Sequence, residues 1–144
     1  MRVEFHVLQI DDLAKILEVI ARRIISVYEA GKTVVILAPG VIAKKLDNKL
    51  WQAGEESFIP HFCATNAKDY NTFRNIPVLI TDNMFITSGF DELINLIDIP
   101  LELEKISIGN LIEFVYQDEN VLGASRKKYI FYKKLGLNID TIKY

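Results

Sequence analysis

The chain has 144 residues, half of them apolar and a quarter charged, a composition that suits one globular domain with a sizeable core and excludes disorder along its whole length. Its net charge of −2 excludes a general electrostatic pull on nucleic acid, so DNA contact needs a local basic patch or a DNA-binding partner. Cys63 is the only cysteine. No intrachain disulfide is possible, which suits a reducing cytoplasm. The opening Met1-Arg2-Val3-Glu4 lacks the basic leader and long apolar run of a signal peptide, and no apolar stretch is long enough to span a bilayer.

In chain order, Val3 to Ile10 reads as a first strand. Asp11-Asp12 offers an N-cap, and Leu13, Ile16, Leu17, Ile20, Ile24 and Val27 follow at helical spacing until Gly31, a C′ residue. Thr33 to Leu37 is a continuous apolar run, as expected of a strand covered on both faces. Pro39-Gly40 marks a turn before a helix from about Val41 to Trp51, with Ile42, Leu46 and Leu50 on one face. Ser57 to Ile59 reads as a short strand and Pro60 to Pro77 as a loop. Val78–Thr81, Leu93–Ile97 and Leu111–Val115 read as further strands. Asp118-Glu119-Asn120 opens a last helix that Gly136 closes. The order predicts a single three-layer α/β domain over residues 1–144, Rossmann-like, with a mostly parallel central sheet and flanking helices. Late strands without helices between them suggest a partly antiparallel edge.

Most candidates for catalytic chemistry fail on spacing. Gly31-Lys32-Thr33 resembles the end of a phosphate loop, but Ser26 stands where its first glycine belongs, and the tripeptide closes a helix instead of opening one. No G-x-G-x-x-G occurs. Asp11 and Asp12 after the first strand invite a receiver-like phosphotransfer domain with Mg²⁺ on the acidic pair. That chemistry also needs an acceptor aspartate after the third strand, where the nearest acids are Glu55 and Glu56. Capping is the simpler role. His61 and Cys63 are too few for zinc and lack a third group to orient a thiol–base pair. Asp82-Asn83 follows a strand, where α/β folds bind ligands, but an ordinary turn is the preferred reading of the pair. A receiver-like domain and a small nucleotide-binding enzyme are therefore the rival classes to a binding module.

The last helix carries the strongest charge signal. At about 100° per residue, Arg126, Lys127, Lys133 and Lys134 share one arc around Ile130. Tyr129, Tyr132, Val121 and Leu122 take the neighbouring apolar arc. Such a face is either solvated or a dock for an acidic, partly apolar peptide, in which Arg126 grips a carboxylate bidentately.

Two stretches resemble a known family. Leu46-Asp47-Asn48-Lys49-Leu50-Trp51 followed by Ser57-Phe58-Ile59-Pro60-His61 is similar to the Leu-Asp-x-x-Leu-Trp and Ser-Phe-aliphatic-Pro-His pattern of the chi subunits of bacterial DNA polymerase III. Phe114-Val115, then Ser125-Arg126-Lys127-Lys128-Tyr129, Tyr132 and Gly136-Leu137-Asn138 resemble that family's last strand and C-terminal helix. The resemblance implies a non-catalytic adaptor without cofactor, linking the clamp loader, through a psi-type subunit, to the acidic C-terminal tail of the single-stranded-DNA-binding protein. That tail ends in an Ile-Pro-Phe type sequence. By position, Val115, Arg126, Tyr129 and Thr141 would form the tail site, with Lys127 and Lys133 in support, and Trp51 and Phe58 would lie at the psi-side surface. Leu122 departs from the pattern, standing where the family can carry a lysine.

Overall fold

The architecture follows from a few strands that are apolar on both faces. The computed structural model describes residues 1–53, 59–64 and 76–144. Seven strands, β1 (Arg2–Val7), β2 (Val34–Leu37), β3 (His61–Ala64), β4 (Val78–Thr81), β5 (Phe90–Asn95), β6 (Ile108–Val115) and β7 (Ile139–Lys143), form one sheet in the order β3-β4-β2-β5-β6-β1-β7. Three helices accompany them, α1 (Leu13–Glu29), α2 (Gly40–Ala53) and α3 (Glu119–Lys134). Along β2, Val34 and Ile36 enter the core beneath α1 and α2, while Val35 and Leu37 enter the core beneath α3. An unbroken apolar run is what two covered faces require.

The helix ends obey local chemistry. Asp12 caps α1, its side chain accepting the Ala14 amide at 2.9 Å. The helix closes with Gly31 at φ 77°, where the Lys32 amide donates to the Val27 carbonyl and the Gly31 amide to Tyr28. That is a Schellman ending, so Gly31-Lys32-Thr33 is a helix stop. Ile16, Leu17, Ile20, Ile24 and Val27 are all buried on one stripe, each contributing about 1.5–3 kcal/mol by leaving water.

Several expectations are corrected. Every strand pair is parallel, with no antiparallel edge among the described residues. Residues 96–107, with a 3₁₀ turn at Leu103–Lys105, carry the chain from β5 back to a parallel β6 without an α-helix, and about a dozen residues suffice for such a crossover. The segment read as a loop from Pro60 contains β3, and β5 runs from Phe90 to Asn95. Of the strand expected at 57–59, Ser57 and Phe58 lie outside the described residues, and Ile59 precedes β3. The first strand stops at Val7. β7 has no counterpart in the sequence reading, because an edge strand paired on one side and mostly exposed shows little alternation.

Two polar networks brace this end of the sheet, one on each face. In β6, Glu113 alternates with Leu111 and Val115 and so points into the core. Three donors converge on it: Lys128 Nζ on Oε1 at 2.8 Å, and Tyr132 OH and Asn95 Nδ2 on Oε2 at 2.8 and 2.9 Å. Tyr132 OH in turn accepts the Leu101 amide at 3.1 Å. Burial pushes the Glu113 carboxyl above its ordinary range, against the pull of Lys128 and the other two donors. Burial and the Glu113 charge push the Tyr132 phenol up, so it stays a donor. On the opposite face, His6 bridges Glu4 Oε1 at 2.9 Å and the Tyr144 hydroxyl at 2.8 Å, and Arg2 reaches Asp140 at 3.3 Å. These contacts hold β7 against β1. Burial acts to raise the Glu4 carboxyl, but the hydrogen bonds and charge of His6, with Asn110 and Arg23, hold it below its usual range.

Removing one member of the Glu113–Lys128 pair strands a buried charge. Lys128→Met should cost about 3–5 kcal/mol in urea unfolding, and adding Glu113→Leu should recover most of that loss. A loss under about 1 kcal/mol for the single variant would show that the pair does not anchor α3.

Candidate functional site

The parallel register builds a shelf beside α3. Phe5 lies between Glu113 of β6 and Thr141 of β7, and Val7 lies next to Val115. Side chains at 3, 5 and 7 of β1 face α3, as do those at 139 and 141 of β7. The Glu113–Lys128 bond turns the inner face of the helix to the sheet, with Ser125, Lys128 and Tyr132 buried. Tyr129 then falls at the border of that face. Its ring meets Phe5 edge-on at 5.7 Å and 75°, yet stays 39 % exposed. Lys133 Nζ sits 5.9 Å from the centre of the Tyr129 ring, so a cation already shares this aromatic.

One turn before Tyr129, Arg126 is exposed and has no ion-pair partner among the described residues. Thr141 is exposed on the edge strand across from it. The structure thus sets Tyr129 and Thr141 beside Phe5, with Lys133 over the Tyr129 ring and Arg126 one turn away on the same helix. Two expected residues are placed differently. Val115 is buried, a floor beneath the shelf and not an open wall. Lys127, two positions from Tyr129, lies on the other side of the helix. Leu122 packs against the core beneath α3, so it helps seat the helix. Sequence reasoning missed Phe5, Glu113 and Lys128. The signal for Lys128 was present, since its spacing places it on the arc of Val121 and Tyr132, away from the other lysines.

At the far end of the sheet, the Asp47, Trp51 and His61 of the first motif converge. The Trp51 ring is 4.5 Å from the His61 ring and half-exposed. His61 Nδ1 donates to the Ile59 carbonyl at 2.8 Å, and Asp47 Oδ1 lies 3.0 Å from its Nε2. Phe58 lies outside the described residues. Cys63 shows no thiolate activation. Burial, then the charges of Asp47 and Asp82, push its thiol up. Asn83 caps the 3₁₀ turn Met84–Ile86 by accepting the Phe85 amide at 2.9 Å, the turn role foreseen for Asp82-Asn83. Among the described residues, no three His, Cys, Asp or Glu side chains group as metal ligands, and no helix is long and apolar enough to cross a membrane.

Comparison with known proteins agrees with this architecture. Two structures of a variant Dbp5 from S. cerevisiae match over 97 % and 99 % of this chain, with TM-scores of 0.65 and 0.66 at 15 % and 14 % identity. One is bound to Nup159, Gle1, IP6 and ADP, the other to Gle1 and IP6. This chain spans 41 % and 42 % of theirs, and the likeness shows a shared α/β fold alone. The DNA polymerase III subunit chi of Haemophilus influenzae is 27 % identical over 141 residues, covering 96 % of this chain and 94 % of its own. The family model described as DNA polymerase III chi subunit, HolC, matches residues 1–140. By that match over nearly its whole length, the chain belongs to the DNA polymerase III chi subunit family.

Proposed function

We propose that this chain acts without catalysis of its own, tying a psi-type subunit of the clamp loader to the C-terminal tail of single-stranded-DNA-binding protein in the cytoplasm. Family membership supports a replication accessory role. The observation that carries the finer reading is Arg126: an exposed guanidinium without a partner among the described residues, one turn from an aromatic ring seated on Phe5. A guanidinium presents two parallel donors to a carboxylate, and the Tyr129–Phe5 edge gives an apolar seat for a terminal phenylalanine. Thr141 and the Val115 floor complete that seat, while Lys133 and, from the outer arc, Lys127 attract the tail's acids. The mechanism is tethering. A moderate grip on a tail displayed in several copies raises the local concentration of polymerase at coated single strands. Contact with nucleic acid is indirect, as the net charge of −2 suggests.

Trp51 and Phe58 form the second surface in this reading. The support for Trp51 is its half-exposed ring braced on His61, a rigid aromatic of the kind interface cores favour. Trp51→Ala should release the chain from clamp-loader components in a pull-down while its melting temperature and tail affinity stay close to the parent's. Unchanged recovery of those components would move the second surface elsewhere.

For the tail site, a peptide with acidic residues before a terminal Ile-Pro-Phe should bind at micromolar strength in calorimetry, and added salt should weaken it. Arg126→Ala should cost about 2 kcal/mol, within the range for hydrogen bonds to charged groups. Amidating the peptide's C-terminus should cost a similar amount in the parent and little more in Arg126→Ala. Two losses that simply add would separate Arg126 from the carboxylate.

A further inference from the structure

The α3 side of the sheet carries one more cation at this place. Lys143 is in β7, in register with Val7, which is itself in register with Val115. Side chains alternate along a strand, so Lys143 shares the face of Ile139 and Thr141. Ile139 is packed into the core beneath α3, which fixes that face as the helix side. The opposite face of β7 is occupied by Asp140, which bonds Arg2, and beyond the strand by Tyr144, which bonds His6. Lys143 is exposed and has no ion-pair partner among the described residues.

Tyr129 lies over Phe5. Val7 is two residues further along β1, about 7 Å. The helix follows β6 and runs back along the sheet, so at about 1.5 Å per residue that level is four to five residues before Tyr129. Arg126 and Lys143 therefore flank the same end of the shelf, one from the helix and one from the edge strand. Lys143 stands two strand spacings from Val115, about 10 Å.

We propose that Lys143 is a specificity-determining contact of the tail site and takes the acidic side chain immediately before the terminal Ile-Pro-Phe. The inference rests on the tail reading above. With the terminal carboxylate on Arg126, the three apolar residues of an extended peptide span about 10 Å, enough to pass from the helix border over Phe5 to the β7 edge, one strand spacing of about 5 Å away. The residue before them then arrives at Lys143, where an aspartate or glutamate meets an unneutralised ammonium.

The test is calorimetry of two peptides, one with aspartate and one with asparagine directly before Ile-Pro-Phe, against the parent, Lys143→Ala, Lys143→Arg and Arg126→Ala. Lys143→Ala should weaken the aspartate peptide about threefold, as exposed ion pairs allow, and leave the asparagine peptide unchanged. Lys143→Arg should bind both like the parent, and Arg126→Ala should weaken both peptides equally. Equal affinity of Lys143→Ala and parent for the aspartate peptide, or equal losses for both peptides, would overturn the assignment to this acid. If the parent bound neither peptide, the tail reading would fall and the inference with it.

Discussion

A single buried ion pair sets the geometry on which the α3 side depends. Glu113 occupies a core position of β6, and Lys128 reaches it from the inner face of α3 at 2.8 Å. An isolated carboxylate in that place would cost on the order of several kcal/mol in lost hydration. Here its two oxygens receive three donors, and one donor, Tyr132, also satisfies the Leu101 amide. The pair holds the inner face of α3 to the sheet, beside the buried Ser125 and Tyr132. With Lys128 inward, Tyr129 must lie at the border over Phe5 and Arg126 must stand clear in solvent.

The same logic explains a local basic character in a chain of net charge −2. Charge that is neutralised inside the molecule attracts nothing. Lys128 is paired in the core, Arg23 is held by Glu92 at 3.0 Å, and Lys49 lies 3.2 Å from Glu18. Arg126 has no such partner among the described residues. An exposed, desolvatable guanidinium beside an aromatic favours a small anion at the end of an apolar peptide, not a long polyanion, whose binding would need many aligned cations.

Much of the fold was legible in the residues, and the exceptions have physical reasons. Long amphipathic helices with a cap and a glycine stop, such as α1, declare themselves through spacing. So do doubly covered strands such as β2. β7 does not, because its partner lies far away in sequence and its outer side is open, so neither burial nor periodicity marks it. β3 was hidden by the polar His61 and the flanking Pro60, although it is paired with β4. The all-parallel pairing of β5 and β6 could not be read from a connection that lacks an α-helix. At the candidate site, the motifs that resemble the chi family pointed to α3 and to Tyr129 and Arg126, which stand one turn apart on that helix. Phe5 and Lys128 escaped, since one looked like ordinary strand core and the other stood outside the basic arc with no role assigned to it.

The central claim is that the surface made by α3, β1 and β7 receives an acidic peptide ending in a free carboxylate. Nuclear magnetic resonance of the ¹⁵N-labelled chain, titrated with a peptide that carries acids before a terminal Ile-Pro-Phe, tests it directly. The account predicts that the backbone signals of Arg126, Tyr129 and Thr141 and the Arg126 side-chain Nε signal shift together and saturate together. Signals around Trp51 and along α1 should hold their positions. Shifts confined to α1, α2 or the Trp51 end, with Arg126 and Tyr129 unmoved, would contradict it.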